Sequence, residues 1–225
     1  MFKHLVPSLV ISAAAIAIAV PAQAGSSDGA FQVKVLGTAV MPDGGITAIT
    51  TNTVGAPAAS QSRATDSFVP TIAAEMFLTP SFSVETICCV TPHDVRGEGP
   101  LNGARLVDDA IILPATVTLK YDADLGAFKP YIGAGATHFF IFGENVGTNA
   151  AALGATNVNL SNEWGLVLQT GFDVPLNDTG LGLTVDAKRY FVDTTATFRA
   201  GNAVALRTEH ELDPWVVSAG LSYRF

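Results

Sequence analysis

The sequence is poor in charge for its length. Only 14% of its 225 residues are Asp, Glu, Lys or Arg, against about 25% in an ordinary soluble domain. Beyond residue 24 it also lacks any uninterrupted apolar run of the roughly twenty residues that a membrane helix needs, although 48% of the chain is hydrophobic. Cysteine is nearly missing: there are two, adjacent at Cys88-Cys89, which excludes a disulfide scaffold. Basic residues are outnumbered, 12 Lys and Arg against 20 Asp and Glu, so no basic face is available for nucleic acid. His93, His138 and His210 lie in separate segments with no His or Cys partner at ligand spacing, and neither a metal site nor a cofactor is expected. A G-x-S-x-G nucleophile motif is missing too. His210-Glu211 has no serine close along the chain, and pairing His138 with Ser161 has no support in the sequence. An enzyme is therefore not expected.

What is present begins with an export signal. Met1-Phe2-Lys3-His4 is a short basic start, Leu9 to Val20 is a small apolar stretch, and Ala22-Gln23-Ala24 supplies the small residues of a cleavage site. Residues 1–24 are read as a signal peptide and 25–225 as a single mature domain. The formal charge of the whole chain is −8, and loss of Lys3 with the leader makes the mature part more negative.

Few charges, much apolar content and no long run are reconciled by alternation. A strand in a membrane barrel turns one face to hydrocarbon and the other to the lumen. Phe31, Val33, Val35, Gly37, Ala39 and Met41 alternate with Gln32, Lys34 and Thr38. Phe68 to Leu78, Phe82 to Val90, Ile111 to Tyr121, Trp164 to Val174, Leu181 to Lys188 and Trp215 to Phe225 repeat the pattern. Phe128 to Phe142 is apolar or small on both parities, and its inward face is left open.

The connections alternate as well. Asp43–Ser67, Pro92–Asp109, Gly143–Asn162 and Asp193–Leu212 are long; Thr79–Ser81, Asp122–Ala127 and Asn177–Gly180 are short. Short turns on one side and long loops on the other fit an eight-stranded antiparallel transmembrane β-barrel of a Gram-negative outer membrane, with both termini periplasmic. The long loops, rich in Gly, Ala, Ser, Thr and Asn, are expected to be mobile. Pro70 and Pro114 each remove a ladder donor, so a bulge or local distortion is expected at both. Tyr223 and the terminal Phe225 share a face of the last strand and are read as an assembly signal for the barrel-insertion machinery.

Several segments carry a family resemblance. Leu212-Asp213-Pro214-Trp215-Val216 with Ser218-Ala219-Gly220 and Tyr223-Arg224-Phe225 resembles the closing strand of OmpW-type outer-membrane proteins. Lys129-Pro130-Tyr131-Ile132-Gly133-Ala134-Gly135, Asp193-Thr194-Thr195-Ala196, and Val84-Glu85 with Thr91-Pro92 follow in the same family order. The resemblance spans about Phe31 to Phe225. It implies an eight-stranded barrel with a narrow, partly apolar lumen, and passage of small hydrophobic compounds across the outer membrane. It also implies an apolar constriction that falls here on Ile87 and Trp164. Parity agrees for Ile87, but it sets Trp164 with the lipid-facing Leu166 and Leu168. Trp164 is thus either a lumen residue, reached through a bulge near Glu163, or an interfacial anchor. Lys188-Arg189 departs from the aromatics that relatives carry there.

Lys34, Glu75, Glu85, Lys120, Glu163, Asp173, Asp186, Lys188 and Arg224 all fall on inward parity. A lumen of eight strands is just wide enough for side chains to fill. These charges are read first as internal ion pairs and second as a selectivity or gating device. Cys88 and Cys89 should face opposite sides of their strand, which disfavours a bridge between them. Expected partners are outer-membrane lipid and small hydrophobic solutes; the alternative is a structural or recognition barrel whose loops meet a partner.

Overall fold

A computed structural model of the protein describes residues 28–225, so the signal peptide expected at 1–24 lies outside the described residues. Fifteen strands follow one another: β1 Phe31–Met41, β2 Ile46–Asn52, β3 Gln61–Ala64, β4 Ser67–Thr79, β5 Phe82–Cys88, β6 Thr91–Glu98, β7 Arg105–Asp122, β8 Lys129–Phe142, β9 Asn145–Val146, β10 Asn157–Leu160, β11 Glu163–Pro175, β12 Leu181–Phe191, β13 Asp193–Ala200, β14 Ala203–Glu211 and β15 Trp215–Arg224. A one-turn helix, α1, spans Thr148–Ala152.

Eight of these close the barrel in the order β1, β4, β5, β7, β8, β11, β12, β15, every neighbour antiparallel. β1 and β15 seal it, from Gln32 opposite Arg224 to Met41 opposite Trp215. Period-two burial explains why these sequences choose strands. Along β1, Gln32, Lys34, Leu36, Thr38 and Val40 are buried while Phe31, Val33, Val35 and Met41 stay exposed. Of the outward set, Val35, Ile72, Leu166 and Leu168 are more than half exposed, an unfavourable surface in water and the required one in hydrocarbon. Turns at the lower rim are tight. Asn177 Oδ1 accepts from the Thr179 and Leu181 N–H groups, and Gly180 takes φ +90°.

β8, the strand left open by the sequence, directs Tyr131, Thr137, Phe139 and Ile141 inward and Ile132, Phe140 and Phe142 outward. Both parities are apolar because the upper lumen is itself apolar.

The long connections differ from expectation. They are folded rather than loose: β10, β13, β14 and β2 form a separate four-stranded sheet, and β3, β6 and β9 extend the barrel wall upward. The prolines differ too. Register runs without a shift through Gly37 opposite Pro70 and through Pro114 opposite Phe139. The interruption lies in the strand between them. Pairing of β5 stops at Cys88 against β4 and at Ile87 against β7, and pairing of β6 with β7 resumes only at Thr91 opposite Ile112. Pro70 and Pro114, which have no N–H to donate, flank the unpaired Cys89-Val90 step.

Candidate functional site

The lower lumen is filled by charge. Lys34, Glu75, Glu85, Lys120, Asp186 and Lys188 are all at most 2% exposed. Lys34 Nζ lies 2.8 Å from Glu75 Oε2 and 2.7 Å from Glu85 Oε2. Lys120 Nζ pairs with Glu75 Oε1 and sits 3.5 Å from Glu85 Oε2. Lys188 Nζ bridges Glu85 Oε1 at 3.0 Å and Asp186 Oδ1 at 2.7 Å. The Gln169 amide donates to Glu85 Oε1 and Asp186 Oδ2, and the Tyr131 hydroxyl donates to Asp186 Oδ2. The Tyr131 ring lies under the Lys120 ammonium, 3.7 Å from its centroid. Buried charge is tolerated only when paired and hydrogen-bonded, and here three ammonium groups meet three carboxylates. Glycine makes the room: a Cβ at Gly171 would land on the Val185 carbonyl and the Tyr131 hydroxyl, and one at Gly133 would press on Lys120 Cγ at 3.1 Å.

Asp173 closes the lower edge of this network, accepting from Gln32 and Thr184. Asp122, placed in a turn by the sequence reading, is the last residue of β7 and shares the Ser83 hydroxyl with Glu75. The signal for it was available, since Asp122 continues the parity of Thr116, Thr118 and Lys120. Two inward-parity charges stand apart from the network. Arg224 is half-buried at the lower rim, its Nε donating to the Gly29 carbonyl and its guanidinium 3.5 Å from the Phe77 ring centroid. Glu163 is half-buried at the upper rim, beside Asp193, Glu211 and Asp213.

Above the charges comes an apolar layer. Ile87, 4% exposed, faces inward between Ala73 of β4 and Thr116 of β7, with Leu36, Cys89, Phe139 and Tyr190 also buried. Trp164 does not join it. β11 keeps its register with β8 through Trp164 opposite His138, without a bulge, and the indole is 74% exposed on the outer wall, 4.7 Å from the His138 ring. Trp164 is therefore corrected from the lumen to the outside, where Trp215, Phe140 and Phe191 share its level near the upper rim. Tyr223 and Phe225 stack on the outer lower rim, with Phe31 against Phe225. Cys88 is exposed to the outside and Cys89 is buried inside; both are free thiols. Lys188 is inward in the network, whereas its neighbour Arg189 reaches Asp43 and the Asp213 carbonyl at the upper rim.

Higher still, the extended wall and the four-stranded sheet enclose an apolar cavity of about 330 Å³. Val95, Leu106, Ile112, Ile141, Leu160 and Phe198 are among its lining residues. A short polar seam holds the two sheets together across it: Ser62 Oγ of β3 lies 3.3 Å from His210 Nδ1 of β14, whose Nε2 is 2.6 Å from Thr208 Oγ1. Both groups lie above the ring of outer aromatics. Burial pushes the His210 pKa down to about 4 and lowers that of His93, so both rings are neutral at pH 7.

The architecture has relatives. A family model described as the OmpW family matches residues 27–225. The chain belongs to the OmpW family. Outer-membrane protein y4mB of Sinorhizobium fredii is 31% identical over 205 residues, covering 90% of this chain and 82% of the relative. Outer membrane protein W of Vibrio cholerae is 34% identical over 116 residues, half of this chain and 52% of its own. Among solved structures, the outer membrane protein OprG of Pseudomonas aeruginosa superposes with a TM-score of 0.78 at 26% identity, covering 89% of this chain and 98% of OprG. The outer membrane protein AlkL in lipid bilayers shares the fold, with a TM-score of 0.68 at 21% identity, covering 92% and 95%. The relatives are outer-membrane proteins, and this OmpW-family chain has the fold of an outer-membrane barrel.

The OmpW-family sequence segments map onto the site unevenly. Tyr131, Gly133 and Gly135 of the Lys-Pro-Tyr stretch lie on the inward face of β8 beside the network, and Glu85 is its hub. The Asp193-Thr194-Thr195-Ala196 segment opens β13, and Thr194 and Ala196 line the cavity. Sequence reasoning missed the cavity and the Ser62–His210 seam, because 148 residues separate the two partners.

Proposed function

We propose that this barrel accepts small hydrophobic solutes from outside the cell into its upper cavity and releases them sideways into the membrane, and does not conduct along its axis. One observation carries the reading: an apolar cavity stands directly above a lumen packed with neutralised charge. An apolar solute gains on the order of 25 cal/mol for each Å² it removes from water in such a cavity. A sugar or an ion would have to displace buried ion pairs to continue downward, which is far more costly.

A lateral exit is supported by the interruption at Cys89-Val90. Wall there lacks ladder bonds toward both β4 and β7, and Pro70 and Pro114 cannot supply donors. His93 and Ile112, which line the cavity, sit on the rungs just above it. The Thr91 hydroxyl donates to the Ile112 carbonyl at that edge, a side-chain bond where the ladder restarts. In this reading the buried charges act as a plug, Ile87 forms the apolar step over it, and Trp164 anchors the barrel at the interface. Residues 1–24 direct export, and Tyr223 and Phe225 engage the assembly machinery.

The test is uptake into liposomes carrying the protein. A small apolar tracer should enter faster than in protein-free liposomes, with no gain for glucose or potassium. Ile87→Lys, which puts a charge into the apolar step, should slow the tracer and leave the fold heat-modifiable. Equal tracer uptake with and without protein would end the transport reading and leave a structural or recognition barrel.

A further inference from the structure

The cavity is not uniformly apolar. Ser60 and Ser62 come from the segment that ends in β3, His93 from β6, and Thr208 and His210 from β14; all five line the cavity. Ser62, His210 and Thr208 satisfy one another. Ser60 does not. Its residue is 2% exposed, and its hydroxyl has no hydrogen-bond partner among the described residues. A buried hydroxyl left unpaired loses on the order of 1–3 kcal/mol, so its position beside an open volume is evidence for something that fills it.

His93 is a separate polar group of the lining. Its Nδ1 lies 2.6 Å from the Thr65 carbonyl, which can only accept, so Nδ1 carries the proton. In a neutral ring that leaves Nε2 as an acceptor. The two groups lie at different levels of the wall: His93 is held at Thr65, which pairs with Asp94, while Ser60 precedes Gln61, opposite Glu98; the lining around Ser60 is mostly hydrocarbon.

The lining also says what the ligand is not. Among the described residues around the cavity there is no Lys or Arg, and the one charged side chain is Glu211. An anionic head would find no cation and would meet a carboxylate. Phe198 is the single Phe, Tyr or Trp of the lining, and the other large apolar groups are aliphatic, which suits a flexible chain better than a stacked ring.

We propose that the cavity selects amphipathic solutes, an aliphatic chain ending in one uncharged hydroxyl or carbonyl group, with the head on Ser60 and the chain among the aliphatic residues. This rests on the cavity being the solute site and names the class of solute it prefers. Ser60 donates to the head oxygen. Alkanes bind by burial alone; fatty-acid anions are disfavoured.

The experiment is equilibrium binding of 1-octanol, n-octane and octanoate at neutral pH to the full-length mature protein in lipid nanodiscs, corrected against empty nanodiscs. Expected is saturable binding of 1-octanol in preference to octane, and least of octanoate. Ser60→Ala removes a hydroxyl that holds nothing in the fold, so folding should be retained. It should weaken 1-octanol about fivefold, the loss of one ordinary hydrogen bond, and leave octane unchanged. Equal affinities of 1-octanol and octane in both proteins would overturn the head-group assignment while leaving the cavity as a hydrophobic site. Preference for octanoate would overturn the uncharged head. Saturable binding of none of the three would overturn this inference and the solute-site reading together.

Discussion

Replacing Glu85 by Gln should destabilise the barrel more than any other isosteric change in the lumen. Glu85 is 2% exposed and faces three ammonium groups at once, Lys34 at 2.7 Å, Lys188 at 3.0 Å and Lys120 at 3.5 Å, while accepting from Gln169 at 2.8 Å. Gln keeps the shape and removes the charge. Three lysines are then left with Glu75 and Asp186 as their fully buried partners. Removing one member of a buried pair costs about 3–5 kcal/mol, because an uncompensated charge stays behind; three cations around one carboxylate place Glu85 toward the upper end. Arg63→Ala supplies the control, since the Arg63–Asp66 pair is 3.5 Å apart with both side chains more than half exposed, where about 0–1 kcal/mol is expected. Urea unfolding of the protein in lipid vesicles, followed by tryptophan fluorescence, reads both. Lys188→Met added to Glu85→Gln should recover part of the loss by restoring charge balance. If Glu85→Gln costs no more than Arg63→Ala, the network is not a neutralised plug and the argument fails.

Three further outcomes are expected. The folded-state pKa of His210 is depressed to about 4 from an ordinary 6.5, so the stability it contributes to the extracellular sheet is full above pH 6.5 and is lost as pH falls toward 4. At 1.36 kcal/mol per unit this is on the order of 3 kcal/mol, and His93 shifts in the same direction. Proteolysis of the extracellular hairpins should rise between pH 7 and 4.5 in wild type and less in His210→Phe; a flat profile in wild type would contradict it. Cys88 should react with a lipid-soluble maleimide while Cys89 stays protected, as judged by mass spectrometry of the folded barrel; labelling of both alike would contradict opposite faces. Gly171→Ala should push on the Val185 carbonyl of β12 and on Tyr131 and cost about 1–3 kcal/mol, seen as heat-modifiability lost at lower temperature, with no change arguing against the close contact.

What the sequence made legible follows the physics of the wall. Where lipid lies on one side and charge on the other, as at Lys34, Glu75, Glu85 and Lys188, parity assigns the face. Where the lumen turns apolar, around Phe139 and Ile141, parity goes silent because both faces want the same residues. Trp164 shows the weakness of carrying a position over by resemblance: the parity of β11 pointed outward, and the unbroken register agrees. The long connections misled for another reason. Thr194, Ala196 and Phe198 do alternate, but β13 gains its partners from β10 and β14, and such long-range pairing is decided by what the sheet buries. The prolines marked a real interruption, yet it falls on the strand between them, since a missing N–H unpairs the neighbour as much as its own chain.

The most direct test of the account is a staple across the wall where the ladder is broken. In a chain with Cys88 and Cys89 changed to Ala and both prolines kept, Val90→Cys and Leu113→Cys place thiols opposite each other across the interruption, in the register set by Ile87 opposite Thr116 and Thr91 opposite Ile112. Uptake of an apolar tracer into liposomes is then compared with the pair reduced and oxidised. The account predicts near-normal uptake when reduced, loss of the protein-dependent part when bridged, and recovery on reduction. Undiminished uptake through a fully oxidised barrel would contradict lateral release.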